Sequence, residues 1–223
     1  MYYRHEWKHE ISASDLFLLR QRLRAVAKLD RHAANGCYRI RSLYFDTPTD
    51  QALREKINGV SSREKFRIRY YNDDLGMIRL EKKSKRGGLC HKESVSVSVD
   101  EVARLLQRDL EWMQDPQRPL LQELRSRMIT QGLAPKVIVE YIREPFVFAP
   151  GNVRVTMDYG IRTGLQWEKF LQPDSMTLPL REEPIVLEVK WDEFLPSIIR
   201  DAVQLDARRT TAFSKYAACR IYG

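Results

Sequence analysis

Cysteine is scarce in this chain: Cys37, Cys90 and Cys219 are odd in number, show no CxxC spacing and have no histidine cluster beside them. That argues against a disulfide framework or a zinc site as the organising feature, and fits a reducing interior. The N-terminus "MYYRHEWKHE" lacks the apolar core of a signal peptide. No stretch approaches the roughly 20 apolar residues that cross a bilayer. Nor is there an internal repeat, a long polar tract or a linker long enough to divide domains. The expectation is a soluble, cytoplasmic protein of one domain spanning 1–223, since 223 residues at 43% hydrophobic composition suffice to fill a core.

What the chain does have is positive charge. Lys and Arg number 38 against 30 Asp and Glu, a formal net charge of +8. The excess favours an anionic partner without distinguishing nucleic acid, phosphate metabolite or lipid headgroup.

The charge follows a pattern. Apolar and polar residues alternate in "YYRHEWKHEI", "CYRIRSLYFDTP", "REKFRIRYYNDDLGMIRLEKKSK", "HKESVSVSV", "KVIVEYIREPFVF", "VRVTMDYGIRT" and "PIVLEVKW", the period of half-buried strands. Turn-prone Asn72-Asp73-Asp74 and Gly76 predict a hairpin inside the third run. Helical spacing appears after Ser12 or Ser14 (Leu16, Leu19, Leu23, Val26), briefly in "TDQALREKI", from Asp100 in "DEVARLLQRDLEWM", in "RPLLQELRSRMITQG" ending at Gly132, and in "LPSIIRDAVQL" and "RTTAFSKYAACRIY". About eight strands with interspersed helices make the class α+β, with an antiparallel sheet or closed β-barrel and helices packed outside.

On five of these strands one parity carries long cationic groups: Arg4/Glu6/Lys8, Arg39/Arg41, Lys65/Arg67/Arg69, Arg79/Glu81/Lys83 and Glu188/Lys190. Facing inward in a barrel, that parity makes a basic tunnel, which an anionic ligand would relieve of its self-repulsion. Glu6, Glu81 and Glu188 share faces with lysines and admit two readings: ion-pair partners, or ligands of a hard divalent cation held jointly with substrate phosphates. Nucleic acid is not expected, because Phe66 and Tyr70 lie on the parity opposite Arg67 and Arg69, whereas a stacking platform needs both on one face.

The ordered set "RHEWK", "YRIRSLYFDT", "KFRIRYY", "LEKKSK", "VEYIREPF", "VRVTMD", "VLEVK" and "FSKY" resembles the VTC domain, the polyphosphate polymerase domain of the vacuolar transporter chaperone complex. That domain belongs with the triphosphate tunnel metalloenzymes and their CYTH relatives. Arg4 stands where CYTH enzymes carry the first glutamate of ExExK, which favours the VTC branch. The resemblance implies a tunnel in which Lys8, Arg67, Arg69, Lys83 and Arg143 bind phosphates. Glu188 would lead the ligands of Mn²⁺ or Mg²⁺, with Lys190 beside it. Lys215 would lie near phosphoryl transfer with Ser214 assisting, and Arg154 and Asp158 are further candidates. The implied activity is ATP-dependent extension of inorganic polyphosphate. Its alternatives are a metal-dependent tripolyphosphatase or nucleoside triphosphatase and a non-catalytic polyphosphate-binding module. Translocation of a product would fall to a membrane-bound partner.

Overall fold

The alternating runs of the sequence form strands. The computed structural model describes residues 4–87, 89–205 and 211–221. The strands are β1 His5–Ile11, β2 Lys28–Leu29, β3 Tyr38–Asp46, β4 Arg63–Tyr71, β5 Asp74–Arg86, β6 Leu89–Val97, β7 Ala134–Phe148, β8 Val153–Gly164, β9 Leu178–Pro179 and β10 Ile185–Trp191. The helices are α1 Ala13–Val26, α2 Gln51–Ile57, α3 Val99–Leu106, α4 Pro119–Gln131, α5 Ser197–Ala202 and α6 Lys215–Ile221. The class is therefore α+β with a large antiparallel sheet. Its ladders run in the order β1-β10-β8-β7-β3-β4-β5-β6, with β2 on β7 and β9 on β8. Among the described residues no ladder joins the ends of that path, so hydrogen-bonded closure into a barrel is not found.

Local chemistry sets the element ends. Ser12 caps α1 through a capping box with Asp15, which satisfies a backbone donor at each end of the box. Ser98 and Glu101 do the same for α3, so that helix opens at Ser98 rather than at the expected Asp100. Gly132 ends α4 in the left-handed region at φ 66°, as expected. Asn72 and Asp73, at φ 50° and 59°, form the two-residue turn between β4 and β5, where both positions need positive φ and Asn and Asp tolerate it. The expected last helix over 209–222 starts instead at Lys215; residues 209, 210 and 222 lie outside the described ones. No helix among the described residues is long and apolar enough to cross a membrane.

The chain divides into two compact units. The first comprises Met1–Arg39, Tyr141–Ile161 and Pro179–Ser214, the second Ile40–Glu140, Arg162–Leu178 and Lys215–Gly223. In the first, Leu19 and Leu23 of α1 and Ile199 of α5 bury against Val155, Met157, Leu187 and Val189, the odd-numbered parity of β8 and β10. Complete burial of a leucine side chain stabilises by about 2 kcal/mol. In the second, Val102, Leu121 and Leu124 of α3 and α4 cover Phe66, Ile68, Tyr70, Ile78 and Leu80 of the β4–β5 hairpin. Each apolar parity is thus taken by helices, and the charged parity is left on the opposite face of the strands.

Candidate functional site

In the first unit β1 pairs with β10 and β10 with β8, and the register sets the charged residues in rows. Glu6, Lys190 and Arg154 form one row; Lys8, Glu188 and Thr156 form the next. Directly opposed side chains share a face about 5 Å apart at Cβ, so Glu6, Lys8, Glu188 and Lys190 interlock. Lys8 Nζ lies 2.6 Å from Glu6 and 3.3 Å from Glu188; Lys190 reaches Glu6 at 3.5 Å and also pairs with Glu188. Burial alone would lower the Lys8 pKa, but the carboxylates of Glu188 and Glu6 outweigh it and hold the ammonium above its ordinary value. The two carboxylates and two ammoniums sum to zero formal charge.

Beside this quartet, Arg143 donates from Nε and Nη2 to the two oxygens of Asp158, both at 2.6 Å. Burial opposes the Arg143 charge, and the completely buried Asp158 more than restores it. Arg154, more exposed, hydrogen-bonds Tyr38 and pairs with Asp30 at 2.9 Å. The alternation read from the sequence thus put Glu6, Lys8, Glu188 and Lys190 on one strand face, and this unit also holds Arg143 and Arg154, which only the family resemblance had named. Glu6, Glu81 and Glu188 are each ion-paired with lysine or arginine. Among the described residues no three His, Cys, Asp or Glu side chains gather into a metal nest.

The second unit carries the arginine pair. Arg67 on β4 opposes Glu81 on β5 and Tyr44 on β3; Arg69 opposes Ser42. Arg67 gives Nε to Glu81 at 2.7 Å and Nη1 to the Tyr44 hydroxyl at 2.9 Å, while Arg69 gives Nε to Ser42 Oγ at 2.8 Å. Glu81, 2% exposed, also takes the Lys92 ammonium and lies 4.0 Å from Arg69. Burial would raise the Glu81 pKa, but Arg67, Arg69 and Lys92 pull it far below the usual carboxylate range. Lys65 and Lys83 are directly opposed across the same hairpin. Burial first, and then Arg63, Lys56 and Lys83, bring Lys65 down to about 8 although Tyr44 opposes the shift. Burial would raise the Tyr44 phenol, but Arg67, Arg69 and Lys65 lower it to about 8.

Helix α6 joins this unit by its side chains. The Tyr216 hydroxyl donates to Asp46, its ring stacks on Tyr44 with centroids 5.1 Å apart, and Lys65 Nζ stands 5.4 Å from its centroid. Arg220 reaches Asp50 at 2.6 Å. Lys215, preceded by Ser214, opens this anchored helix. A cavity of about 210 Å³ in the same unit is lined by Lys65, Asp46, Gln51, Arg63 and Arg127 among others.

Arg41 departs from the expected pattern, and by alternation so does Arg39. The register pairs Arg41 with Tyr70 and Ser42 with Arg69, so β3 runs out of phase with the sequence reading. Arg41 lies on the helix-covered side, 1% exposed, 2.6 Å from Glu140 and hydrogen-bonded to Ser175. The hydroxyls of Ser42 and Tyr44 take the face the arginines were expected to hold. Both, with Asp46 and Tyr216, escaped the sequence reading. The shared parity of Ser42, Tyr44 and Asp46 on β3 was the available signal, and Arg39 and Arg41 masked it.

No curated protein matches the chain. Among solved structures, a candidate adenylate cyclase of Bacillus halodurans superposes with a TM-score of 0.52 at 14% identity, covering 85% of this chain and 80% of that one. A protein of Pyrococcus horikoshii OT3 aligns over 95% of this chain and 96% of its own at 15% identity and a TM-score of 0.49. At such identity the first likeness speaks for the fold alone. The model of the VTC domain matches residues 3–221, nearly the whole length. The chain belongs to the VTC domain family.

Proposed function

We propose that the chain acts as a polyphosphate polymerase, passing the γ-phosphoryl group of ATP to the end of an inorganic polyphosphate chain with release of ADP. In this reading residues 1–223 form one working domain that binds the phosphate chain. The observation that carries it is the arginine pair of the second unit: two guanidiniums held by Glu81, Ser42 and Tyr44 on a single strand face. Phosphoryl transfer asks the protein chiefly for alignment and for positive charge around the moving group, and such a face supplies both. VTC family membership supports the phosphate chemistry.

Arg67 and Arg69 bind phosphate oxygens with fixed forks, which a lysine cannot imitate. Glu81 serves as their counter-ion and orients them. Lys65 and Lys83 add mobile point charges, Lys8, Lys190 and Arg143 serve the first unit's face, and Lys215 with Ser214 stands at the transferring group. Arg41 has a structural part, consistent with its burial against Glu140. Glu188 and Glu6 are all-oxygen donors with lysines that can turn to phosphate, which fits Mn²⁺ or Mg²⁺ carrying water and phosphate oxygens as its remaining ligands. Bound there, such an ion would neutralise phosphate charge as the bond to ADP breaks.

The test is incubation of the purified protein with ATP and Mn²⁺, with and without a polyphosphate primer, followed by a polyphosphate-stained gel. Long chains plus ADP that vanish in Glu188→Ala and Lys215→Ala variants are expected. Free phosphate alone would reassign the protein as a hydrolase, and no turnover with retained polyphosphate binding would reassign it as a binding module.

A further inference from the structure

Thr156 is the fourth residue of β8, with 2% of its surface exposed, and among the described residues its Oγ1 has no hydrogen-bond partner. A buried hydroxyl without a partner has given up its water for nothing in return. Valine would fill the same space on a strand without that loss. Packing therefore does not explain the residue, and something absent from the folded chain alone would.

The register says what lies next to it. Lys8, Glu188 and Thr156 occupy one row across β1, β10 and β8, and Glu6 and Lys190 occupy the adjacent row of the same face. Asp158, the next carboxylate along β8, is already held at both oxygens by Arg143. The oxygen groups that can turn to a new cation are those of Glu188, Glu6 and the orphan hydroxyl. Carboxylate and hydroxyl oxygens are the donors that hard divalent ions take, and a threonine or serine hydroxyl commonly joins phosphates around Mg²⁺.

Charge decides how such an ion arrives. The quartet of Glu6, Lys8, Glu188 and Lys190 is already neutral. A bare divalent ion would add two positive charges to a half-buried face, and a bare phosphate would meet two carboxylates. A metal–triphosphate complex satisfies both sets, because the lysines turn to phosphate oxygens as the carboxylates turn to the metal.

We propose that Thr156 Oγ1 is a third protein oxygen of a divalent-cation site formed with Glu188 and Glu6, occupied by the cation in complex with a triphosphate. This rests on the reading of Glu188 given under the proposed function. The site is tested by calorimetric titration of the full chain with tripolyphosphate, once in EDTA and once as the preformed Mn²⁺ complex. The ratio of the two affinities reads the metal contribution. Wild type is expected to prefer the complex. Thr156→Val should reduce that preference about tenfold, the usual scale for losing a group that supports a metal site. Metal-free affinity should stay the same, Tm should be equal or higher, and Thr156→Ser should keep the preference. Equal preference in Thr156→Val and wild type, with loss in Glu188→Gln, overturns the role of Thr156 and leaves the metal reading intact. Absence of any preference in wild type overturns the metal reading and this site together. A Thr156→Val protein several degrees less stable than wild type would show that the hydroxyl has a structural partner, and would also overturn the proposal.

Discussion

Arg67 and Glu81 face each other across the β4–β5 ladder, with Nε and Nη2 at 2.7 and 2.5 Å from the same carboxylate oxygen. The other oxygen takes Lys92. Removing the charge in Glu81→Gln leaves cationic groups buried without their counter-ion, a loss of about 3 kcal/mol. For a chain of this size that lowers Tm by roughly 6–12 °C. Calorimetry should show the drop while the preference for Mn²⁺–tripolyphosphate over the free anion persists. If that preference disappears instead, Glu81 is a metal ligand.

Arg67→Lys keeps the charge and discards the fork. Tripolyphosphate binding should weaken by about 1.5–3 kcal/mol, roughly 10- to 100-fold, the range for hydrogen bonds to charged groups. Unaltered affinity would remove Arg67 from the binding face.

Lys65 and Tyr44 predict a pH dependence with opposite signs for folding and for binding. Lys65 falls from 10.5 to about 8 in the folded chain, and Tyr44 from 10.0 to about 8. Below the folded values both states hold these protons. Between those values and the ordinary ones the folded chain has released protons that the unfolded chain retains, so these two groups make stability rise with pH there. Phosphate affinity should instead fall through about pH 8, as Lys65 loses its charge and Tyr44 gains a negative one. Lys65→Arg should flatten that fall. A wild-type affinity that stays level across the window would separate both residues from phosphate.

Arg41 and Glu140 form a buried pair, so Arg41→Leu alone should destabilise by about 3 kcal/mol, and Arg41→Met with Glu140→Leu should recover most of it. Tripolyphosphate affinity of the double variant should equal that of wild type. A substantial loss of binding in a stable double variant would return Arg41 to the phosphate face.

The β4–β5 hairpin was readable in the sequence because its central residues alternate cleanly: Phe66, Ile68 and Tyr70 against Lys65, Arg67 and Arg69. β3 was not, since "YRIRSLYFD" has polar residues on both parities. Its phase is settled by Glu140, 99 positions downstream, which supplies the partner that lets Arg41 go under cover. Residue type likewise placed Glu6, Glu81 and Glu188 on strand faces, but whether a carboxylate meets lysines or guanidiniums depends on register between distant strands. Thr156 was invisible for a related reason: a threonine in a strand is unremarkable until its hydroxyl is found to be alone. The Ser98 cap, by contrast, stood in plain view as Ser98-x-x-Glu101, overshadowed by the neighbouring acidic Asp100.

The Ser42 and Tyr44 hydroxyls carry a consequence for the energetics of recognition. Long side chains lose rotamer freedom when they grip a ligand, about 0.5–1.5 kcal/mol for each one immobilised. Ser42 holds Arg69 and Tyr44 holds Arg67 before any anion is present, so much of that disorder has already been given up during folding. An arriving phosphate meets two arginine forks that are already aimed, and keeps a larger share of its attraction as affinity.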